Sequence, residues 1–185
     1  MARWEPDAQG RLQLAALELF QERGYASVTV AEIADRAGLT KRTFFNHFTD
    51  KREVLFAGAK DYEAGILKYL AEAGDDLSPL DAVLAALTRS SEDLVQYGDF
   101  ARARQRLIES SIELRERDLV KTASLTAALA DALNARGVPL GRARLTAQAA
   151  LAVFDTAYVA WIGEGTGDLE TLMGQVLEEL REAVR

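Results

Sequence analysis

Between Thr40 and Phe48 the chain reads TKRTFFNHF, a short stretch that gathers Lys41, Arg42, Thr43, Asn46 and His47. These are hydrogen-bond donors and acceptors of the kind that meet the edges and phosphates of nucleic acid. At about 100° per residue in a helix, Phe44 and Phe48 point one way and Arg42, Thr43 and Asn46 point the other. Phe45 and His47 fall on the flanks. One face is therefore built for burial, and the opposite face carries Arg42, Thr43 and Asn46 as candidates for base-edge contacts. Arg42 has the fork needed to hold a guanine O6 and N7 together. Lys41 lies at the boundary and suits either a phosphate or water. Phe45 offers a ring for core packing or for apolar contact with a thymine methyl.

Such a face is useful only if the backbone holds it in place, and the preceding residues specify how. Thr29 and Glu32 have the spacing of a capping box, in which each side chain satisfies a free backbone N–H. Val30, Ile33, Ala34 and Ala37 then make one apolar stripe, and Gly38 supplies the positive φ that ends a helix of about two turns. Thr40 caps the next helix. Leu39 and Phe44 flank that cap as a hydrophobic staple, so the turn is specified. Asp50 and Glu53 repeat the capping spacing and predict a fourth helix from Lys51 to about Ala71. Lys51 and Arg52 in its first turn oppose the helix dipole, a local cost that an external phosphate would offset.

From about Arg11 to Phe56, the segments LAALELFQERGY, TVAEIADRAGLTKRTFFNHF and DKREVL closely resemble the N-terminal domain of the TetR family of bacterial transcriptional repressors. Beyond Phe56 the resemblance is to a general plan of helices. It implies that Thr29, Thr40, His47 and Lys51 match positions that commonly contact the DNA backbone. Both threonines are also caps, and a histidine outside this motif is more often an ordinary surface or core residue. Phe45 stands where many relatives carry tyrosine, so one phosphate bond is removed and a ring remains. The resemblance further implies a twofold dimer joined through the last helices. Where the two reading helices are separated by about 34–36 Å they enter successive major grooves, so the expected partner is a palindromic double-stranded DNA operator.

The formal net charge of −7 looks wrong for such a partner until it is divided along the chain. Residues 1–55 hold eight Lys/Arg and eight Asp/Glu, so the acidity belongs wholly to the remainder. Within 39–52, Lys41, Arg42, Lys51 and Arg52 against Asp50 leave a local +3 beside His47. Screening over roughly 8–10 Å lets this patch act independently of the acidic body. The chain has no cysteine and a single histidine, which excludes disulfides, thiol chemistry and His or Cys metal clusters. No cofactor is implied. No nucleophile–base pair or Gly-rich phosphate loop suggests an enzyme. The N-terminal MARWEPDAQG lacks the apolar core of a signal peptide, and no run of about 18 apolar residues is available to cross a membrane, so a cytoplasmic location follows by default.

The periodicity predicts an all-α fold of about nine helices, and the resemblance implies its division into a three-helix, helix-turn-helix DNA-binding domain over 1–56 and a helical effector-binding and dimerisation domain over 57–185. The fifth helix begins at Pro79 behind a Ser78 cap and runs to about Gly98; the sixth spans Phe100 to Glu109; the seventh runs towards Arg136. The eighth, Arg142 to Ile162, is apolar nearly all round, which calls for burial on more than one side. The ninth carries Leu169, Leu172, Met173, Val176, Leu177, Leu180 and Val184 as one stripe. Two helices from each of two subunits would make a four-helix bundle.

The family resemblance implies a small-molecule effector pocket between helices four and eight, although the effector's identity is unreadable. Tyr62, Tyr97, Phe100, Phe154, Tyr158 and Trp161 are candidate lining residues, equally suited to plain core packing, and as a group favour an apolar or aromatic molecule. Asp155 in the most apolar helix needs a partner, because an isolated buried carboxylate is costly. Arg106 or Arg102 within the chain, a bond across a subunit interface and an effector contact are the alternatives. The arginines also have surface partners to hand in Glu109 and Glu113. The leading expectation is a ligand-responsive repressor; the alternative is a helical small-molecule or protein-binding module that no longer reads DNA.

Overall fold

Apolar residues recurring every three or four positions dictate helices, and the computed structural model, which describes residues 8–91, 98–164 and 168–184, contains no strand among them. The elements are α1 (Ala8–Arg23), α2 (Val30–Arg36), α3 (Lys41–His47), a 3₁₀ turn (Arg52–Phe56), α4 (Ala59–Glu72), α5 (Pro79–Ser91), α6 (Gly98–Ser110), α7 (Ile112–Ala135), α8 (Leu140–Glu164) and α9 (Leu169–Ala183). They pack as two compact units, Met1–Ala59 with Ala103–Leu119, and Lys60–Arg102 with Val120–Arg185. The second half of α6 and the start of α7 thus belong with the N-terminal helices.

In the first unit, Leu12, Ala15, Ala16, Leu19 and Phe20 form the buried face of α1. They pack with Ile33 and Ala34 of α2 and with Phe44 and Phe48 around α3. Burying each large side chain contributes about 1.5–3 kcal/mol, so this small core suffices to anchor two helices of seven residues that are too short to persist alone.

The fourth helix departs from its predicted form. Asp50 Oδ1 does accept from the backbone N–H of Arg52 at 2.8 Å and of Glu53 at 3.4 Å, yet it starts only the short 3₁₀ turn. Ala57 is extended and Gly58 takes a positive φ of 80°, so the helix restarts at Ala59. The physical cause is long-range. Arg104 Nε donates to Leu55 O at 2.8 Å with its guanidinium over the Phe56 ring, and Arg117 pairs with Glu53. Both arginines come from the 103–119 segment and grip the turn.

The second unit buries Ile66 and Leu70 of α4, Val83 and Leu87 of α5, Leu129 and Leu133 of α7 and the alanine-lined side of α8. Ala143, Ala147, Ala150 and Ala157 face inward, and small side chains at that spacing let α5 and α9 pack closely on α8. The α9 stripe serves this core. Leu169 and Met173 are buried, Leu172, Val176, Leu177 and Leu180 lie against the same cluster, and only Val184 is left 75% exposed. By contrast α8 keeps an open side. Leu140–Gly163 is long and apolar enough to cross a bilayer by length and composition, an exception to the sequence expectation, but 39% of its most apolar stretch is buried in the core. Arg136 closes the far end of α4, donating to Leu70 O at 2.6 Å and Ala73 O at 3.0 Å, a cation on unsatisfied C-terminal carbonyls.

Candidate nucleic-acid interface

The candidate surface begins with the turn that aims α3. Thr29 and Glu32 form the full capping box: Thr29 N–H donates to Glu32 Oε2 at 2.8 Å and Glu32 N–H to Thr29 Oγ at 3.3 Å. The Thr29 hydroxyl also donates to Glu32 at 2.8 Å, and Arg23 adds an ion pair at 2.9 Å. These bonds, from the Thr29 backbone first, hold the Glu32 carboxyl down at about 2. At the other end, Gly38 sits at φ 65° while its N–H and that of Leu39 return to Asp35 O and Ala34 O. Arg11 reaches over from α1 to donate to Ala37 O. A Cβ on Gly38 would lie 2.9 Å from that guanidinium, so the backbone angle calls for glycine and any other residue would also have to displace the end of the Arg11 side chain.

Thr40 then caps α3, accepting from Thr43 N–H at 3.1 Å with the two hydroxyls 2.9 Å apart. Phe44 is wholly buried and Phe48 nearly so. With those two rings inward, Lys41, Arg42, Phe45, Asn46 and His47 are exposed and Thr43 is half-buried. Phe45 is 55% exposed, its ring set edge-on to Phe44, which removes the core-packing alternative and leaves an apolar group on the polar face.

The four cations between residues 39 and 52 are not equivalent. Lys51 Nζ donates to Tyr25 O at 2.7 Å and Val28 O at 2.8 Å and lies 4.1 Å from the Tyr25 ring centroid. Burial pushes this ammonium below its ordinary lysine value. Lys51 is first a clamp on the chain between α1 and α2, with one N–H left over. Arg52 is paired with Asp50 at 2.9 Å. Lys41 and Arg42 form no ion pair with any described residue, and they are the open cations of the face. Sequence spacing gave no sign of the Lys51 clamp or of Arg11, because the carbonyls they hold are contributed 23 to 26 residues away.

The expected effector residues are dispersed. Phe154 stacks on Tyr158 at 5.8 Å and Tyr158 tilts against the buried Trp161 at 5.9 Å, a short aromatic run along α8. The Tyr62 hydroxyl meets Ser91 Oγ at 3.0 Å, and Ser91 donates on to Leu87 O; burial pushes the Tyr62 hydroxyl up to about 12, with the Ser91 bond acting against it. Phe100 is half-buried on α6, and Tyr97 lies outside the described residues. Arg106 is exposed and belongs to the unit containing α1 to α3. Asp155 is exposed too, which overturns the expectation of a buried carboxylate: the apolar helix is not enclosed on that side. Arg102 instead binds Ile162 O at 3.2 Å and Asp99 at 2.9 Å, while Glu109 accepts from Gln105 and Glu113 from Ser111. An open, ion-paired groove between α1 and α2 is lined by Leu19, Glu22, Arg23, Glu32, Asp35 and Arg36, a charged lining unsuited to an apolar molecule.

Comparison with known proteins agrees with the geometry of the first unit. Residues 14–57 match the family model described as bacterial regulatory proteins, tetR family, and residues 77–185 match the MftR C-terminal domain. The chain is 30% identical over 167 residues to the HTH-type transcriptional regulator TcmR of Streptomyces glaucescens, covering 85% of this chain and 74% of that one. It is 43% identical over 51 residues to the HTH-type transcriptional activator FasR of Mycolicibacterium smegmatis, a match taking in 28% of this chain and only 23% of that longer one. In fold it is similar to Thermus thermophilus FadR, a TetR-family transcriptional repressor solved with lauroyl-CoA, at a TM-score of 0.59 and 21% identity over 94% of this chain and 93% of that one. An α3 anchored by Phe44 and Phe48, a capped two-helix turn and these matches together establish that the chain belongs to the TetR family of DNA-binding transcriptional regulators.

Proposed function

We propose that this protein is a homodimeric repressor that occupies a palindromic operator and is released by a small apolar or aromatic effector. The observation that carries the reading is the exposed face of α3, where Arg42, Phe45 and Asn46 stand clear of a helix held from behind by two buried rings. Arg42 and Asn46 read base edges, Phe45 meets a thymine methyl, and Thr43 stands beside them. Lys41, His47, Thr40 and the remaining N–H of Lys51 meet phosphates. Thr29 acts mainly through its capping box, since its hydroxyl proton is already donated to Glu32. In this reading residues 1–56 engage DNA and residues 57–185 bind the effector and join the two copies.

The effector is taken up in the second unit beside Tyr62, Phe154, Tyr158 and Trp161. The lauroyl-CoA on the Thermus relative supports a ligand with an apolar body. Helices α6 and α7 each contribute to both units, so a shift in their C-terminal-unit portions is carried by continuous helix to Arg104 and Arg117, which grip the 3₁₀ turn. Release requires the effector to bind the two conformations with different affinity.

Fluorescence anisotropy on a duplex from the promoter upstream of the protein's own gene, against an unrelated duplex at two salt concentrations, tests the proposal. Selective binding by one dimer per site, weakened by salt, is expected. Random-sequence selection that enriches no motif would overturn the DNA-reading assignment in favour of a helical binding module.

A further inference from the structure

The hydroxyls on the seam between α4 and α5 are unevenly satisfied. Tyr62 and Ser91 bring their oxygens to 3.0 Å, and the Ser91 proton is given to Leu87 O at 2.7 Å. A serine has one proton to give, so Tyr62 is the donor in this pair and its oxygen is left with the acceptor role. Ser90, the next residue, differs. Its Oγ is buried with no hydrogen-bond partner among the described residues, and it does not return its proton to the carbonyl four residues back as Ser91 does. An orphaned buried hydroxyl costs stability. Opposite it stands Gly65 of α4, where a Cβ would meet Ser90 Oγ at 3.9 Å, so the missing side chain leaves a gap facing the hydroxyl. Tyr62 lies one turn before Gly65. Burial is the main cause of its raised hydroxyl, but the Tyr158 phenol adds to it, which places this seam beside the Phe154, Tyr158 and Trp161 aromatic run of α8.

We propose that Ser90 and Tyr62 supply the polar contact of the effector, and that the effector is an uncharged aromatic molecule bearing a hydroxyl group; this rests on the effector reading above and adds the chemical class. A hydroxyl suits both groups, since it can accept from Ser90 Oγ–H and donate to the Tyr62 oxygen. A ketone or ether can only accept, and a hydrocarbon does neither. Charge is disfavoured by the surroundings. Among the described residues of this unit Ser91 is the buried polar residue and no Lys or Arg is buried, so a carboxylate in the seam would be desolvated without a cation to pair with. The same hydroxyl that is unsatisfied in the empty protein is satisfied in the complex, which ties binding energy to the presence of the ligand's polar group.

Equilibrium dialysis of the full-length protein at neutral pH against 2-naphthol, naphthalene and 2-naphthoate tests this, because the three share one ring system and differ in the polar group. 2-Naphthol should bind roughly tenfold tighter than naphthalene, the increment of one satisfied hydrogen bond, and 2-naphthoate should bind weakest. Ser90→Ala should remove most of that preference while leaving the naphthalene Kd unchanged. Without any ligand, Ser90→Ala should raise Tm by a few degrees more than Ser124→Ala, an exposed α7 control with the same gain in helix propensity, because the orphaned hydroxyl is gone. A Tm gain no larger than the control's would show that Ser90 is already satisfied and overturn the proposal. Equal binding of 2-naphthol and naphthalene overturns the polar contact while an apolar effector site stands. Tightest binding by 2-naphthoate overturns the uncharged class, again with the site intact. Binding by none of the three up to its solubility overturns the aromatic effector site along with the contact.

Discussion

Arg42 and Lys51 are both cations in the same short stretch, but their surroundings give them different work. Arg42 is exposed without an ion pair to any described residue, so Arg42→Ala should cost about 1–3 kcal/mol of operator binding, roughly 5- to 150-fold in Kd, and relax specificity at one base position. Its thermal melt should be unchanged, which differential scanning fluorimetry checks. Lys51 holds two backbone carbonyls and an aromatic face, so Lys51→Met should lower stability by about 1.5–3 kcal/mol, and Tm by several degrees, before any phosphate contact is considered. An unchanged melt with lost DNA binding would assign Lys51 to phosphate alone. The motif made both residues legible as cations near DNA. It did not distinguish them, because the partners of Lys51 lie across a chain reversal.

Glu32 adds a pH dependence at the same scale. Its carboxyl is held at about 2 rather than the ordinary 4.5, so its contribution is fully present above 4.5 and is lost as pH falls through 2. Glu32→Gln should therefore be less stable at neutral pH and should flatten the acid-unfolding curve between those limits, as followed by circular dichroism. An identical acid limb in both proteins would show that the capping box is not contributing in solution.

Elements depend on where the backbone is allowed to turn. Gly38 and Gly58 both take positive φ, and alanine at either carries the left-handed penalty of about 1–2 kcal/mol. Only at Gly38 would the new Cβ also meet a neighbour, Arg11 at 2.9 Å, whereas nothing lies within 4 Å of the Gly58 position. Gly38→Ala should thus destabilise more than Gly58→Ala in denaturant titration, and it should also loosen α3. Equal costs would mean that Arg11 moves aside freely. The helix-ending role of Gly38 was readable from the apolar stripe before it. The break at Gly58 was not, because Asp50, Glu53 and a long apolar period all favour continuing the helix, and the arginines that hold the 3₁₀ turn come from residues 104 and 117.

For the whole molecule, the net charge of −7 resides outside residues 1–55, which places DNA affinity on a few cations rather than on a general field. Removing one cation–phosphate pair should reduce the magnitude of the salt slope by about 0.9, so Lys41→Ala should shallow that slope with little change in sequence preference. Coupling between effector and operator must be reciprocal. An effector that weakens DNA binding by some factor should itself bind the operator complex more weakly by the same factor, and calorimetry with and without DNA measures both arms. Equal effector affinity in the two arms would exclude release by this route.

The amino-acid sequence by itself determined what depends on neighbours a few residues apart: nine helical periods, the Thr29 and Thr40 caps, the turn at Gly38 and the division of α3 into a Phe44–Phe48 face and an Arg42–Asn46 face. These are set by helical geometry and by backbone groups that must find partners within one turn. Tertiary structure decided what depends on carbonyls and surfaces brought together from afar. It gave Lys51, Arg11, Arg104 and Arg136 their acceptors, and it left Arg106 and Asp155 on exposed helix faces. It also turned the α9 stripe inward while leaving one side of α8 open. An apolar stripe states that a helix must be covered; which neighbour covers it is a matter of packing in three dimensions.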